Sequence, residues 1–409
     1  MRLLIRPEPY PDESLESYLL RLSQENGFER YTLLSGAIRD SLLVQDHKAS
    51  GAFPLELARV NVFHAQRSSG LRVRALQLFA QLTDLDPACL LQLSLMHSGL
   101  HFGSGHACVH RAGVDIPLGF IRTGPIPVCP ACLRESAYIR QHWHFSPYLA
   151  CHQHGSQLLH LCPSCGEALD YQHSESFTHC RCGFDLRTAI TQPAGAEAQQ
   201  LSALICGVRF ESTNPLLSSE HPSLMFGALY WCWLRNKTAD AGKPEFSTLT
   251  TVIDYFSAWP TNFHHELQQM AQKALQTQTR LLNHTAFRDV FGSVLTDCRQ
   301  LPTRDSHRNF ILRGLLDYLT ALVSANPKNR IANLGDIQLS AIEAAALLGT
   351  SVEQVFRLLQ DGFLTPAHRR LHGGLKPHEP LFHLRHVIEC RQAHRSTFND
   401  AYHPYLPAW

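Results

Sequence analysis

The sequence predicts a mainly α-helical, multidomain protein, and three observations carry that expectation. Apolar residues recur at helical spacing through most of the chain, seven of its thirteen cysteines crowd between Cys129 and Cys182, and two helix-start signals stand in tandem near the C-terminal end. A chain of 409 residues is long enough for two or three cores. The apolar share of 44% is ordinary for a globular protein, and no run reaches the roughly 18 apolar residues of a membrane span. The best candidate, SLMFGALYWCWL, is too short and reads as a buried helix. The first residues lack the charged start, apolar middle and cleavage site of a secretory leader, so a cytoplasmic location is expected.

Four units follow one another. Residues 1–115 read as an N-terminal helical domain. Its clearest element is PDESLESYLLRLSQENG, in which Asp12 is expected to cap the helix and Glu13 and Glu16 favour its positive end. Leu15, Tyr18, Leu19 and Leu22 form one apolar stripe, and Gly27 supplies the stop. YTLLSGAIRDSLL, LRVRALQLFAQL and PACLLQLSLM continue the helical pattern. Residues 116–190 change character: Pro, Gly, His and Cys accumulate and periodicity fades, as in a small loop-rich module that needs a staple. TQPAGAEAQQ reads as a linker, and residues 191–333 return to helical patterns in TVIDYFSAWP, HHELQQMAQKALQ and NFILRGLLDYLTALV. Residues 334–409 form the last unit.

The crowded cysteines have metal-ligand spacing. In a reducing compartment, paired cysteines point to metal rather than to disulfides. Cys129-x-x-Cys132 and Cys151-x-x-His154 supply one set of four tetrahedral ligands, and Cys162-x-x-Cys165 with Cys180-x-Cys182 supplies a second. The single-residue gap in the last pair leaves His179 or His173 open as a substitute ligand. Two full sets of four imply two structural Zn2+ ions per chain, because catalytic zinc keeps a position open for water. There is no H-E-x-x-H string, and the spacing differs from that of a DNA-reading finger. Within AYIRQHWHF, Tyr138, Arg140 and Trp143 are candidates for a contact surface, with Trp143 and Phe145 filling the space between knuckles as the plainer alternative. The remaining six cysteines, Cys89, Cys108, Cys206, Cys232, Cys298 and Cys390, read as buried inert thiols.

In the last unit, Ser340-x-x-Glu343 and Thr350-x-x-Glu353 read as two capping boxes around a turn at Gly349. Val352, Val355, Phe356 and Leu359 form the buried stripe of the second helix, and Gly362 ends it. The following residues fit two short strands around a Gly-rich tip and then a helix, the outline of a winged helix-turn-helix of the excisionase and MerR type. The second helix exposes Glu353, Gln354, Arg357 and Gln360, which are interface candidates. From Asp336 onward seven Lys/Arg face seven Asp/Glu, the segment 129–190 has four against five, and residues 1–40 have five against seven. No unit carries a basic footprint for DNA, and Arg369, Arg370 and Lys376 on the expected wing are the one local cluster. No phosphate loop, nucleophile elbow or paired-carboxylate motif points to an enzyme.

These motifs occur in a recognisable order. RPEPYPDESLESYLLRLSQENGF, CPACLRESAYIRQHWHF, CHQHG, LLHLCPSCG and CRCGF together resemble the TniQ family of transposon target-selection proteins. The length, the C-terminal unit and the ending FNDAYHPYLPAW are most similar to the short members from CRISPR-associated transposons with a type I-F guide complex. The resemblance implies a non-catalytic bacterial adaptor with helix-turn-helix regions at both ends, forming a head-to-tail homodimer. It implies docking on the RNA-guided Cascade complex with its crRNA, at the handle-binding endoribonuclease subunit and the adjacent backbone subunit. Recruitment of the AAA+ transposition regulator, and through it the transposase, would follow. DNA would be read by the guide, which fits the missing basic face. The aromatic tail with Phe398, Tyr402, Tyr405 and Trp409 is a candidate to pack across the dimer or over its own domain. The alternative within the family is a direct, sequence-specific DNA-binding selector.

Overall fold

A computed structural model describes residues 3–65, 69–102, 107–209, 211–219, 221–236, 246–277, 279–298, 301–303, 308–368 and 376–399. It is mainly helical, as expected, with short strands between the helices. The first helix is Leu15–Glu25, and its stripe Leu15, Tyr18, Leu19 and Leu22 is fully buried. Its cap is Ser14, which accepts the Ser17 N–H, and Asp12 is free for a different task described below. Gly27 follows at φ +76°, a conformation that costs other residues strain. Tyr31–Leu43 and Ser69–Thr83 are helices where the periodicity placed them.

PACLLQLSLM divides. Pro87–Leu93 is helical, whereas Met96 opens a three-stranded antiparallel sheet of β1 (Met96–His101), β2 (Ala107–Arg111) and β3 (Val114–Pro117). Helical periodicity could not reveal it, because the strands are short and their tight turn rests on Ala112 and Gly113, both at positive φ. Two further strands, β4 (Ala150–Cys151) and β5 (Ser156–Gln157), pair inside the cysteine-rich segment.

Beyond that segment TQPAGAEAQQ is only half a linker, since the helix Ala196–Ile205 begins within it after Gly195. Ala and Glu favour helix, and Ala198, Leu201 and Leu204 bury one face. SLMFGALYWCWL lies in the helix Pro222–Asn236, with Met225, Phe226, Leu229, Tyr230, Trp231 and Trp233 buried. The helices Phe246–Ser257, Thr261–Thr277 and Phe310–Ala325 correspond to the three periodic runs read from the sequence. Among the described residues, no helix is long and apolar enough to cross a membrane.

The C-terminal unit contains the two expected helices, Ala341–Leu348 and Val352–Gln360, with Gly349 between them at φ +74°. The first has the Ser340/Glu343 capping box. The second does not use Thr350: its cap is Ser351, which accepts the Gln354 N–H. Thr350 is buried and gives its own N–H to the Ala345 carbonyl, closing the preceding helix. The stripe of the second helix is centred on Val355 and Leu358, with Val352, Phe356 and Leu359 half-buried beside them.

The strand expected directly after this helix is absent among residues 363–368, where Ala367 makes a single hydrogen bond to the Leu381 carbonyl. The ladder instead joins β6 (Gln338–Ser340), ahead of the first helix, to β7 (Pro380–His383). Lys376 is exposed, while Arg369 and Arg370 of the expected wing lie outside the described residues. Tyr402, Tyr405, Trp409 and the Phe398 side chain lie outside them as well.

Candidate metal centres

Cys129 precedes the short helix Pro130–Glu135, which turns Cys132 back toward it. Across from this pair, β4 ends in Cys151, and a tight turn carries His154 and Gly155, at φ +62°, into β5. The four side chains converge, with all ligand atoms within 4.8 Å of one another. His154 Nδ1 lies 3.3 Å from the sulfurs of Cys132 and Cys151 and 3.7 Å from that of Cys129. The Cys132 and Cys151 sulfurs are 3.5 Å apart. A zinc tetrahedron with Zn–S of about 2.3 Å and Zn–N of about 2.05 Å has S–S edges of about 3.8 Å and S–N edges of about 3.5 Å. The residues therefore fit one such ion.

The second set comprises Cys162, Cys165, Cys180 and Cys182, again within 4.8 Å. Cys162 pairs with Cys182 and Cys165 with Cys180, each at 3.7 Å, the sulfur–sulfur edge of the same tetrahedron. The single-residue gap works because Gly183, at φ +88°, folds the chain sharply after Cys182 and returns its N–H to the Cys180 carbonyl. The substitute ligands stay outside: His179 pairs with the Thr178 hydroxyl and His173 with Asp170.

Each cluster contains a thiol that releases its proton readily. Hydrogen bonds from Cys132 and Cys151 hold Cys129 far below the usual thiol range. The Phe184 N–H, with the neighbouring thiols, lowers Cys182 to about 7. Thiolate is the ligating form. Two supporting groups were not read from the sequence. Glu135 takes His154 Nε2 at 2.9 Å, the carboxylate partner that fixes a metal-bound imidazole, and the Ser156 hydroxyl lies 3.7 Å from the Cys129 sulfur. Glu135 sits six residues after Cys129, and sequence spacing alone gave no reason to prefer it over other acids.

Tyr138, Arg140 and Trp143 are not an outer surface, which corrects the contact-surface expectation; Trp143 and Phe145 are buried, as the plainer alternative has it. Arg140 is 4% exposed and Trp143 0%, because the segment is pressed against the first helix of the chain. Ser14 donates its N–H to the Ile139 carbonyl, Gln141 donates to the Asp12 carbonyl, and Ile139 donates to the Ser17 hydroxyl. The Tyr138 hydroxyl donates to Asp12 at 2.6 Å, and Arg140 ion-pairs with the same carboxylate at 3.4 Å. Tyr138 stacks on Tyr10 with centroids 4.1 Å apart, while Arg140 lies over both Tyr138 and Trp143. On the other side Arg21 covers Tyr10 and grips the buried Glu13 through two hydrogen bonds. Arginine and aromatic faces thus alternate across the seam between the opening motif and the first metal cluster.

On the second helix of the C-terminal unit, Glu353, Arg357 and Gln360 are exposed and Gln354 is half-buried. They share an accessible face. Of the scattered cysteines, Cys108, Cys232 and Cys298 are buried, Cys206 and Cys390 are half-buried, and Cys89 is exposed. Cys89 departs from the expectation: it lies in the exposed first turn of the helix Pro87–Leu93.

Helical units joined through two clusters of four metal ligands define a scaffold whose metal would supply shape. Residues 4–158 match the TniQ family model, so this part of the chain carries a TniQ domain. That match runs from the opening motif through the whole first cluster. The family is one of non-catalytic transposition adaptors with a role in target selection. A comparison with curated proteins finds no match.

Proposed function

We propose that the protein is a zinc-stapled, non-catalytic adaptor that docks as a head-to-tail homodimer on a type I-F Cascade complex carrying crRNA. There it recruits the AAA+ transposition regulator for RNA-guided DNA integration. The observation that carries this reading is the TniQ domain itself, residues 4–158, whose two signature segments are each other's packing partners. Cys129, Cys132, Cys151 and His154 would hold one Zn2+, and Cys162, Cys165, Cys180 and Cys182 the other. The ions supply folding free energy to a module too small for its own core. We place its units at 1–115, 116–190, 191–333 and 334–409, in a bacterial cytoplasm.

The near-neutral charge of every unit supports delegation of sequence reading to the guide. Glu353, Gln354, Arg357 and Gln360 present a mixed polar face suited to a protein partner. Co-purification with the Cascade complex encoded beside it, with and without crRNA, is the test: a crRNA-dependent complex is expected, and failure to bind any such complex overturns the docking. The alternative, a direct DNA-binding target-site selector, draws on the exposed Arg357 and Gln360 of the helix-turn-helix. It requires tight, sequence-dependent gel shifts by the purified protein without guide RNA.

A further inference from the structure

We propose a third zinc site, formed by His142, His152 and Cys206, that clamps the cysteine-rich segment to the helix following it. One ligand atom from each of the three lies within 4.8 Å of the other two. They come from separate places: His142 from the turn Gln141–His144, His152 from just after β4, and Cys206 from the C-terminal cap of the helix Ala196–Ile205. None belongs to the two sets of four already described.

Hydrogen bonding accounts for only part of this cluster. His152 Nδ1 meets the Tyr148 hydroxyl at 2.9 Å and the Cys206 sulfur at 3.6 Å. The latter separation is that of a sulfur–nitrogen edge around zinc, about 3.5 Å. His142 is left over. It is buried, and its Nε2 has no hydrogen-bond partner. An imidazole nitrogen stranded in a protein interior calls for an explanation, and a bound ion is one of the few available. Burial also keeps His142 neutral by holding its pKa well below the ordinary value, so a lone pair is free to ligate.

The ligand chemistry selects the ion. Two imidazoles and one thiolate form a borderline-soft set that suits zinc and disfavours magnesium or calcium. Binding would displace the Cys206 thiol proton to solvent, leaving the thiolate on the metal. The Asp12 carboxylate acts electrostatically on both His152 and Cys206 and would offset part of the remaining positive charge. The half-buried positions of His152 and Cys206 leave a route for the ion.

Such an ion would reinforce a junction already made by the Ser202 hydroxyl, which accepts the N–H groups of Leu149 and Ala150. With three protein ligands rather than four, it should leave before the other two ions. The test is the zinc content of the full-length protein after exhaustive dialysis, measured by elemental analysis. Three ions per chain are expected, falling to two in Cys206→Ser with an unchanged circular dichroism spectrum. In the wild type, a maleimide should label Cys206 only after the first equivalent of zinc has been withdrawn by a chelator. Two ions in the wild type, three retained in Cys206→Ser, or immediate labelling of Cys206 each overturns the proposal. The wild-type count and labelling decide even if the variant folds poorly. The two sets of four are tested separately by Cys132→Ser, so their failure is distinguishable from this one.

Discussion

At the scale of single residues, two carboxylates do opposite work. Glu135 is exposed and bonds His154 Nε2, so it holds the imidazole in a ligating orientation. Glu135→Gln is expected to weaken the first site's zinc affinity by about 10- to 100-fold in chelator competition, whereas Cys132→Ser should lower the zinc content by about one ion. Glu16 is buried, bonded by the Asn61 amide at 2.5 Å, and desolvation raises its pKa from 4.5 to about 7. Because the folded value lies above the unfolded one, its contribution to stability is fully present below about 4.5 and is lost as pH rises through about 7. Glu16→Gln keeps the neutral form at every pH. Relative to it, the wild type should lose on the order of 3 kcal/mol between pH 4.5 and 7, in urea unfolding monitored by the near-ultraviolet circular dichroism of the N-terminal aromatics. A constant gap across that range would sink the assignment of a neutral Glu16.

At the scale of elements, the cap of the second C-terminal helix shows where sequence reasoning succeeds and where it stops. Thr350-x-x-Glu353 and Ser351-x-x-Gln354 are overlapping candidates, and propensity barely separates them. The preceding helix separates them, because Thr350 is needed to close it. Ser351→Ala should therefore cost about 1 kcal/mol, and Gly349→Ala a similar amount through its positive φ, both read as lowered thermal midpoints. If Ser351→Ala is neutral, Ser351 is not the cap. The same distinction covers the rest of the fold. Long amphipathic helices such as Phe310–Ala325 and the paired-ligand spacings are local signals, legible without tertiary structure. The β1–β3 sheet, the β6–β7 pairing and the burial of Tyr138 and Arg140 depend on what lies opposite them, which sequence spacing does not contain. Glu135 is not legible as the partner of His154 for the same reason.

At the scale of the whole molecule, the first metal cluster is coupled to the N-terminal helix rather than sitting in an independent module. Cys132 and Arg140 are eight residues apart, and the chain between them carries Tyr138 and Ile139 onto Asp12, Ser14 and Ser17. Fixing Cys129 and Cys132 on an ion fixes the start of that segment, and the seam fixes its end. Removing the ion would free its four ligands, and the Tyr10–Tyr138 stack would then lose its rigid side. Withdrawal of zinc by a chelator is thus expected to raise amide hydrogen exchange in two places, the ligand loops and the first turns of the helix Leu15–Glu25, beginning with the Ser14 N–H that the Ile139 carbonyl accepts. The C-terminal helices Ala341–Leu348 and Val352–Gln360 pack against each other and should keep their protection. Tyr138→Ala should reproduce the N-terminal part of this change while leaving both sets of four loaded. Unchanged exchange at Ser14–Leu20 after metal loss would show that the N-terminal helix holds its place without the staple.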